Sequence, residues 1–214
     1  MCYQQLFWDF DGTLVNTYPG MVQAFGEALV ACGVNDFEID QEDIYRTMRQ
    51  HSLGRAYQRF TAEYQVDRER LTKIYEQLAA PLLPEATAFA GAAELLAAVT
   101  AAGGRNFLLT HRNRRALDRL AALNLDQFFS GYVTKDDDYP RKPDPTSLLA
   151  LCQQYDVDKA TAIMIGDRNL DVAAGHRAGM AGALFDPEHL IVDESQPEVR
   201  VTRLADLQDW LAAE

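Results

Sequence analysis

Positive charge is what this chain has least of. Twenty Lys and Arg stand against 32 Asp and Glu, giving a net charge of −12 and a pI near 4.7. This argues against nucleic acid as a partner, because phosphate backbones are met by clustered Lys and Arg. An anionic substrate would then need a local positive field that overrides the global one. Cysteine is scarce too. Cys2, Cys32 and Cys152 are odd in number and far apart. That spacing argues against a disulfide framework or a thiolate metal site, and for reduced thiols in a cytoplasmic protein. No apolar run approaches the roughly 20 residues that cross a bilayer, so no membrane partner is expected. The start, Met1-Cys2-Tyr3-Gln4-Gln5, lacks the basic and apolar stretches of a secretory signal. There is no internal repeat. At 214 residues and 48% apolar, the chain can form one large domain, or a core with a smaller insertion.

What is present falls into two patterns. An apolar run ending in Leu6-Phe7-Trp8 predicts a buried strand over 6–10. Residues 16–83 then read as helical, with helices over 18–32, 52–64 and 67–80 and another capped by Asp40. Pro81 and Pro84 punctuate the chain, and an Ala- and Leu-rich helix spans 91–102. Beyond it strands alternate with helices. The strands are expected at 106–110, 132–134, 162–165, 181–185 and 199–201. The helices are expected at 114–123, 170–178 and 204–211, with a further one opening at Asp144 as cap and Pro145 as first helical residue. Alternation of this kind predicts a parallel sheet covered on both faces. The expected fold is therefore α/β, a three-layer Rossmann-like core of residues 1–15 and 84–214, with residues 16–83 inserted as an α-helical cap.

Ligands of open α/β sheets sit at the carboxyl ends of the strands. The polar residues that follow each expected strand are Asp9 and Asp11, then Thr110-His111-Arg112, then Arg141-Lys142, then Asp167-Arg168-Asn169-Leu170-Asp171. Each alone has an ordinary explanation: a turn for Asp11-Gly12, a helix cap for Thr110, a surface position for Lys142, a favourable helix-dipole contact for Asp167 and Asp171. Four strand ends offering carboxylates, a hydroxyl and a lysine on one rim are hard to attribute to chance. His111, Arg112, Arg114, Arg115, Arg141, Lys142 and Arg168 also supply a local cluster of cations.

In order and spacing these segments resemble the four motifs of the haloacid dehalogenase-like superfamily, in its phosphoglycolate phosphatase-like branch with a helical cap. Asp9-Phe10-Asp11-Gly12-Thr13-Leu14 matches the first motif and Leu108-Leu109-Thr110 the second. Lys142-Pro143 matches the third and Gly166-Asp167 through Asp171 the fourth. The resemblance implies a magnesium-dependent phosphatase acting through an aspartyl-phosphate. Asp9 would be the nucleophile, and Asp11 the acid and later the base. Thr110 and Lys142 would hold the phosphoryl group. Asp9, Asp167, Asp171 and the main-chain oxygen of Asp11 would hold Mg²⁺. Three positions depart from the usual pattern: His111-Arg112 where a small polar residue such as asparagine is common, Asn16 where aspartate is common, and Arg168 where serine is common.

A small phosphorylated metabolite, phosphoglycolate-like or a sugar phosphate, is the expected substrate of a monomer or homodimer. His111 beside Thr110, and Arg49, His51 and Arg55 in the cap, are the candidates for recognising it. A solvated helix face is the plainer reading of the last three. Two rivals stay open: a phosphosugar mutase on the same scaffold, and a non-catalytic regulator that binds phosphate.

Overall fold

The computed structural model describes residues 3–213, so Cys2 lies outside the described residues. The chain divides into two compact units, one running through Asn16 and again from Ala88, the other from Thr17 to Thr87.

The first unit is the α/β body. Among the described residues it carries one six-stranded sheet of β1 (Gln5–Trp8), β2 (Arg105–Leu109), β3 (Phe129–Val133), β4 (Ala162–Gly166), β5 (Ala181–Phe185) and β6 (Val199–Val201). Strand order is β3-β2-β1-β4-β5-β6, and every pairing is parallel. The chain leaves β1 toward β2 and β3, then crosses back to place β4 on the other flank of β1. That reversal opens a crevice at the carboxyl end of β1. Trp8 lies opposite Leu108 of β2 and Ile165 of β4, so the residues after all three strands emerge level with one another.

Successive side chains on a strand face opposite ways, and β1 and β2 show the two faces. Phe7 stacks on Phe107 at 4.8 Å between ring centroids. Both belong to a buried cluster with Leu148, Leu151, Met164 and Ala174, contributed in part by α7 (Thr146–Tyr155) and α8 (Asn169–Ala178). On the other face, Trp8 donates to Asn106 Oδ1 (3.0 Å), and Asn106 Nδ2 donates to the Leu96 carbonyl (3.2 Å). Leu96 lies on α5 (Ala92–Ala101), which packs against α9 (Leu204–Ala213). The remaining helix of this unit is α6 (Arg115–Ala122).

The second unit is wholly helical: α1 (Tyr18–Ala31), α2 (Gln41–Gln50), α3 (Leu53–Glu63) and α4 (Arg68–Ala79), with short 3₁₀ turns. Asp40, Ser52 and Asp67 each accept the backbone N–H three residues on, so α2, α3 and α4 all begin on a side-chain cap. Phe25 sits among Tyr57, Phe60 and Tyr75, with ring centroids 5.3–5.9 Å away.

Several boundaries differ from the sequence expectation. β1 ends at Trp8 rather than at residue 10, because Asp9 makes the last ladder bond (N–H to Ile165 O, 2.9 Å) and the chain then turns. The Phe10 carbonyl accepts the N–H groups of Thr13, Leu14 and Val15, and Gly12 supplies the left-handed φ of 74° that the turn requires. β3 begins at Phe129, not at Tyr132. Ser130 and Gly131 have little intrinsic preference for strand, and pairing with β2 supplies it. At α7, Pro145 is the cap residue rather than the first helical one, and Asp144, one residue earlier, still accepts the Thr146 N–H at 2.9 Å.

Candidate active site

At the carboxyl end of the sheet, residues from four segments meet. Lys142 Nζ lies 2.7 Å from Asp9 Oδ1 and 2.6 Å from Asp171 Oδ1, and donates to the Leu109 carbonyl at 3.1 Å. Asp9, Lys142, Asp167 and Asp171 are all buried. Asp9, Asp167 and Asp171 bring one carboxylate oxygen each within 4.8 Å of one another. Lys142 thus faces Asp9 and Asp171, while Asp167 Oδ1 lies 3.6 Å from Arg168 Nε, so three buried carboxylates share two cationic side chains. Asp9 Oδ2 is buried and accepts no hydrogen bond. A buried anionic oxygen left in this state is costly. A hard divalent cation bound by oxygens would offset that cost, and the donor set fits Mg²⁺.

Burial by itself would push the Lys142 ammonium down, but Asp171 and Asp9 outweigh it and hold its pKa above the ordinary lysine value. Lys142 therefore stays charged at any working pH. Burial pushes Asp171 up to about 6, with Asp9 and Asp167 adding to the rise and Lys142 and Arg168 opposing it. The two oxygens of Asp171 have separate tasks: Oδ1 meets Lys142, and Oδ2 accepts the Arg168 N–H at 3.2 Å in the first turn of α8. Helix capping and membership of the site are both true of this residue.

Thr110 is buried directly after β2, its N–H bound to the Val133 carbonyl. Its Oγ1 accepts the Arg112 N–H at 3.0 Å, so the hydroxyl proton is available to an oxygen in the crevice.

Two residues of the first motif and the second interact in ways the sequence did not signal. Asp11 lies within the turn, but its carboxylate is absent from the acidic cluster. Arg112 grips it through Nη2 (2.7 Å to Oδ1) and Nε (3.0 Å to Oδ1, 3.2 Å to Oδ2). His111 is neutral. Burial first, then Lys142, Arg141 and Arg168, hold its pKa down to about 2. Its Nε2 accepts the Lys142 main-chain N–H at 2.9 Å. Nε2 of His111 is thus engaged within the protein, and the lowered pKa disfavours a positive charge on this imidazole. Lys142, Arg141 and Arg168 oppose its protonation, and Asp11 favours it. Arg114 is turned to Asp137 (3.3 Å), and Arg115 is exposed.

The cap candidates lie in the other unit. Arg49 on α2 is buried, its guanidinium 5.8 Å from the Tyr18 ring centroid. His51, the residue that ends α2, and Arg55, in the first turn of α3, are exposed, and Arg55 donates to Gln58 at 2.6 Å.

Gly166 is a determinant whose reason only the structure supplies. A Cβ there would lie 2.2 Å from Asp171 Cβ, so only glycine lets Asp171 fold over the end of β4. Asp186, after β5, is another fully buried carboxylate at a strand end. It accepts the Leu190 and Ile191 N–H groups, both at 3.1 Å, and pairs with Arg200. Satisfied in this way, it reads as a structural anchor. The sequence held no signal that separates it from Asp167.

With this geometry in view, comparison with known proteins is informative. The family model for haloacid dehalogenase-like hydrolases matches residues 6–185. A phosphoglycolate phosphatase of Rhodospirillum rubrum is 31% identical over 188 residues, covering 82% of this chain and 76% of that protein. A pyrophosphatase of Listeria welshimeri is 34% identical over 93 residues, covering 41% of this chain and 42% of that protein. Among solved structures, a haloacid dehalogenase-superfamily hydrolase from Geobacter sulfurreducens superposes with a TM-score of 0.76, covering 98% of this chain and 97% of that one at 18% identity. The four motifs, the sheet order and the matched length agree, and the chain belongs to the haloacid dehalogenase-like hydrolases.

Proposed function

We propose that this chain is a magnesium-dependent phosphatase of a small phosphorylated metabolite, working through an aspartyl-phosphate on Asp9. The observation that carries this reading is the Asp9 carboxylate itself. One oxygen is fixed by Lys142, and the other is buried and accepts no hydrogen bond, beside two further carboxylates.

The residues divide the work as follows. An Asp9 oxygen attacks phosphorus and the bond to the leaving oxygen breaks, while Asp11 gives that oxygen its proton. Asp11 then takes a proton from water as the water attacks phosphorus, which releases phosphate and restores Asp9. Thr110 donates its hydroxyl proton to a phosphoryl oxygen, and Lys142 neutralises charge that develops there. Asp9, Asp167 and Asp171, with the main-chain oxygen of Asp11, would hold Mg²⁺, which screens nucleophile from phosphate and orients both. Arg49, His51 and Arg55 in the cap remain the candidates for recognising the rest of the substrate. A phosphoglycolate-like ester or a sugar phosphate suits this scheme. The two relatives carry different substrate names, so a panel of such esters ranked by kcat/KM is the way to choose. Among the described residues no helix is long and apolar enough to cross a membrane. Cys32 and Cys152 are free thiols, which suits a reducing cytoplasm.

The test uses para-nitrophenyl phosphate and thermal unfolding side by side. Turnover is expected with MgCl₂ and not with a chelator. Saturating Mg²⁺, at about 100 times its Kd, should stabilise the folded chain by about 2.7 kcal/mol. Asp167→Asn should lose most of that shift. Turnover that survives chelation, or an identical Mg²⁺ shift in the variant, would refute the metal assignment.

A further inference from the structure

We propose that Arg112 is the positioning residue for Asp11, fixing the carboxyl that serves the leaving oxygen. The inference rests on the phosphatase reading above and assigns a role to a position where the family pattern offers none.

The geometry supports it at three points. First, the grip is two-pronged: Nε and Nη2 both reach the Asp11 carboxylate, at 2.7–3.2 Å. A planar guanidinium held this way fixes the direction of a carboxylate as well as attracting it, which a lysine cannot do. Second, Arg112 starts from a rigid base. Its N–H is bound to Thr110 Oγ1 (3.0 Å) and its carbonyl accepts the Lys135 N–H (2.9 Å). Third, the Asp11 backbone is itself anchored by a bridge to Val15, so the rotation of its side chain is the freedom left to control. Both side chains are 22% exposed, partly shielded from water and still open to the crevice. The pair joins the ends of β1 and β2 across 101 residues of sequence. Nε and Nη2, two of the three guanidinium nitrogens, are thus directed at Asp11.

The consequence is kinetic. An acid matters most when the leaving oxygen is strongly basic and least when it departs readily as nitrophenolate. Arg112→Met and Arg112→Lys should therefore be assayed on an alkyl phosphate and on para-nitrophenyl phosphate, with Asp11→Asn as reference. For Arg112→Met we expect kcat/KM on the alkyl ester to fall about 10- to 100-fold, chiefly in kcat, and the nitrophenyl ester to be affected far less. Arg112→Lys should lie between wild type and Met. Equal losses of kcat/KM on both esters would mean a merely structural role, since kcat/KM reports the leaving step and not the water attack that both esters share. A rise in KM with kcat unchanged would mean substrate binding, and a gain in rate would mean that Arg112 parks Asp11 unproductively. Each of these overturns the proposal. Asp11→Asn must show the same dependence on leaving group. If Asp11→Asn lacks it, the assignment of Asp11 as acid falls, and the role of Arg112 falls with it. If Asp11→Asn shows it and Arg112→Met does not, only the present inference fails.

Discussion

The core unit buries Asp9, Thr110, Lys142, Asp167 and Asp171 along one edge of its sheet, while the polar side chains that the cap unit buries are Thr17, Thr47 and Arg49 among the described residues. In the cap, Phe25, Tyr57, Phe60 and Tyr75 fill the interior instead. Burying polar groups is costly, and burying carboxylates in excess of cations more so. A unit that accepts this cost in one cluster, and satisfies Asp186 fully elsewhere in the same sheet, marks where chemistry resides. The cap interior, by contrast, is mostly aromatic and aliphatic, with Arg49 as its one buried charged residue among the described residues.

The contrast can be broken most directly at Asp9. Asp9→Asn removes the proposed nucleophile and keeps the shape, so kcat should fall about a thousandfold or more. The melting temperature should hold or rise, because one of three crowded carboxylates is gone. Activity that survives would place the chemistry elsewhere. Lys142→Met sharpens the point. It strands Asp9 and Asp171 without their ammonium, so besides activity it should lose about 3–5 kcal/mol in urea unfolding. A stable Lys142→Met protein would mean the buried charges are satisfied by other means.

Phe25→Ala tests the other side. Its ring meets three aromatic rings of the cap, and its loss should cost about 3–5 kcal/mol. Turnover of para-nitrophenyl phosphate well below the melting temperature should be little changed. A large drop in kcat there would show that the cap interior shapes the chemistry too.

The smallest effect concerns His111. In the unfolded chain it titrates near 6.5, and in the folded protein near 2. Between these values the unfolded chain binds the extra proton, so stability rises with pH and is lost on acidification below about 6.5. At pH 5 the loss attributable to this group reaches about 2 kcal/mol. Unfolding of wild type and His111→Asn between pH 7.5 and 5 should differ in slope by that amount, the carboxylates being common to both. Parallel slopes would mean that His111 protonates freely in the fold.

Legibility of the sequence followed the range of the interactions. The cap at Asp40 is formed within three residues, and period-two and helical patterns repeat within a single element. Those features, and with them the alternating fold and the acidic pair Asp9 and Asp11 after a strand, could be read directly. The strand ends at 8 and 129 could not, because a ladder partner decides where a strand stops. The same holds for the charge of His111, which depends on burial and on three cations from other segments.

The sequence by itself determined which chemical groups exist and that they follow strands: carboxylates at 9, 11, 167 and 171, a hydroxyl at 110, an ammonium at 142. Only the tertiary structure decided who faces whom. Lys142 reaches Asp9 across 133 residues, Asp11 is given to Arg112 instead of the acidic cluster, and Asp171 folds over a glycine at the end of β4. The physical reason is that a charge-assisted hydrogen bond forms only at contact, at about 3 Å, and separations of that size are set by the strand order that puts β1 between β2 and β4.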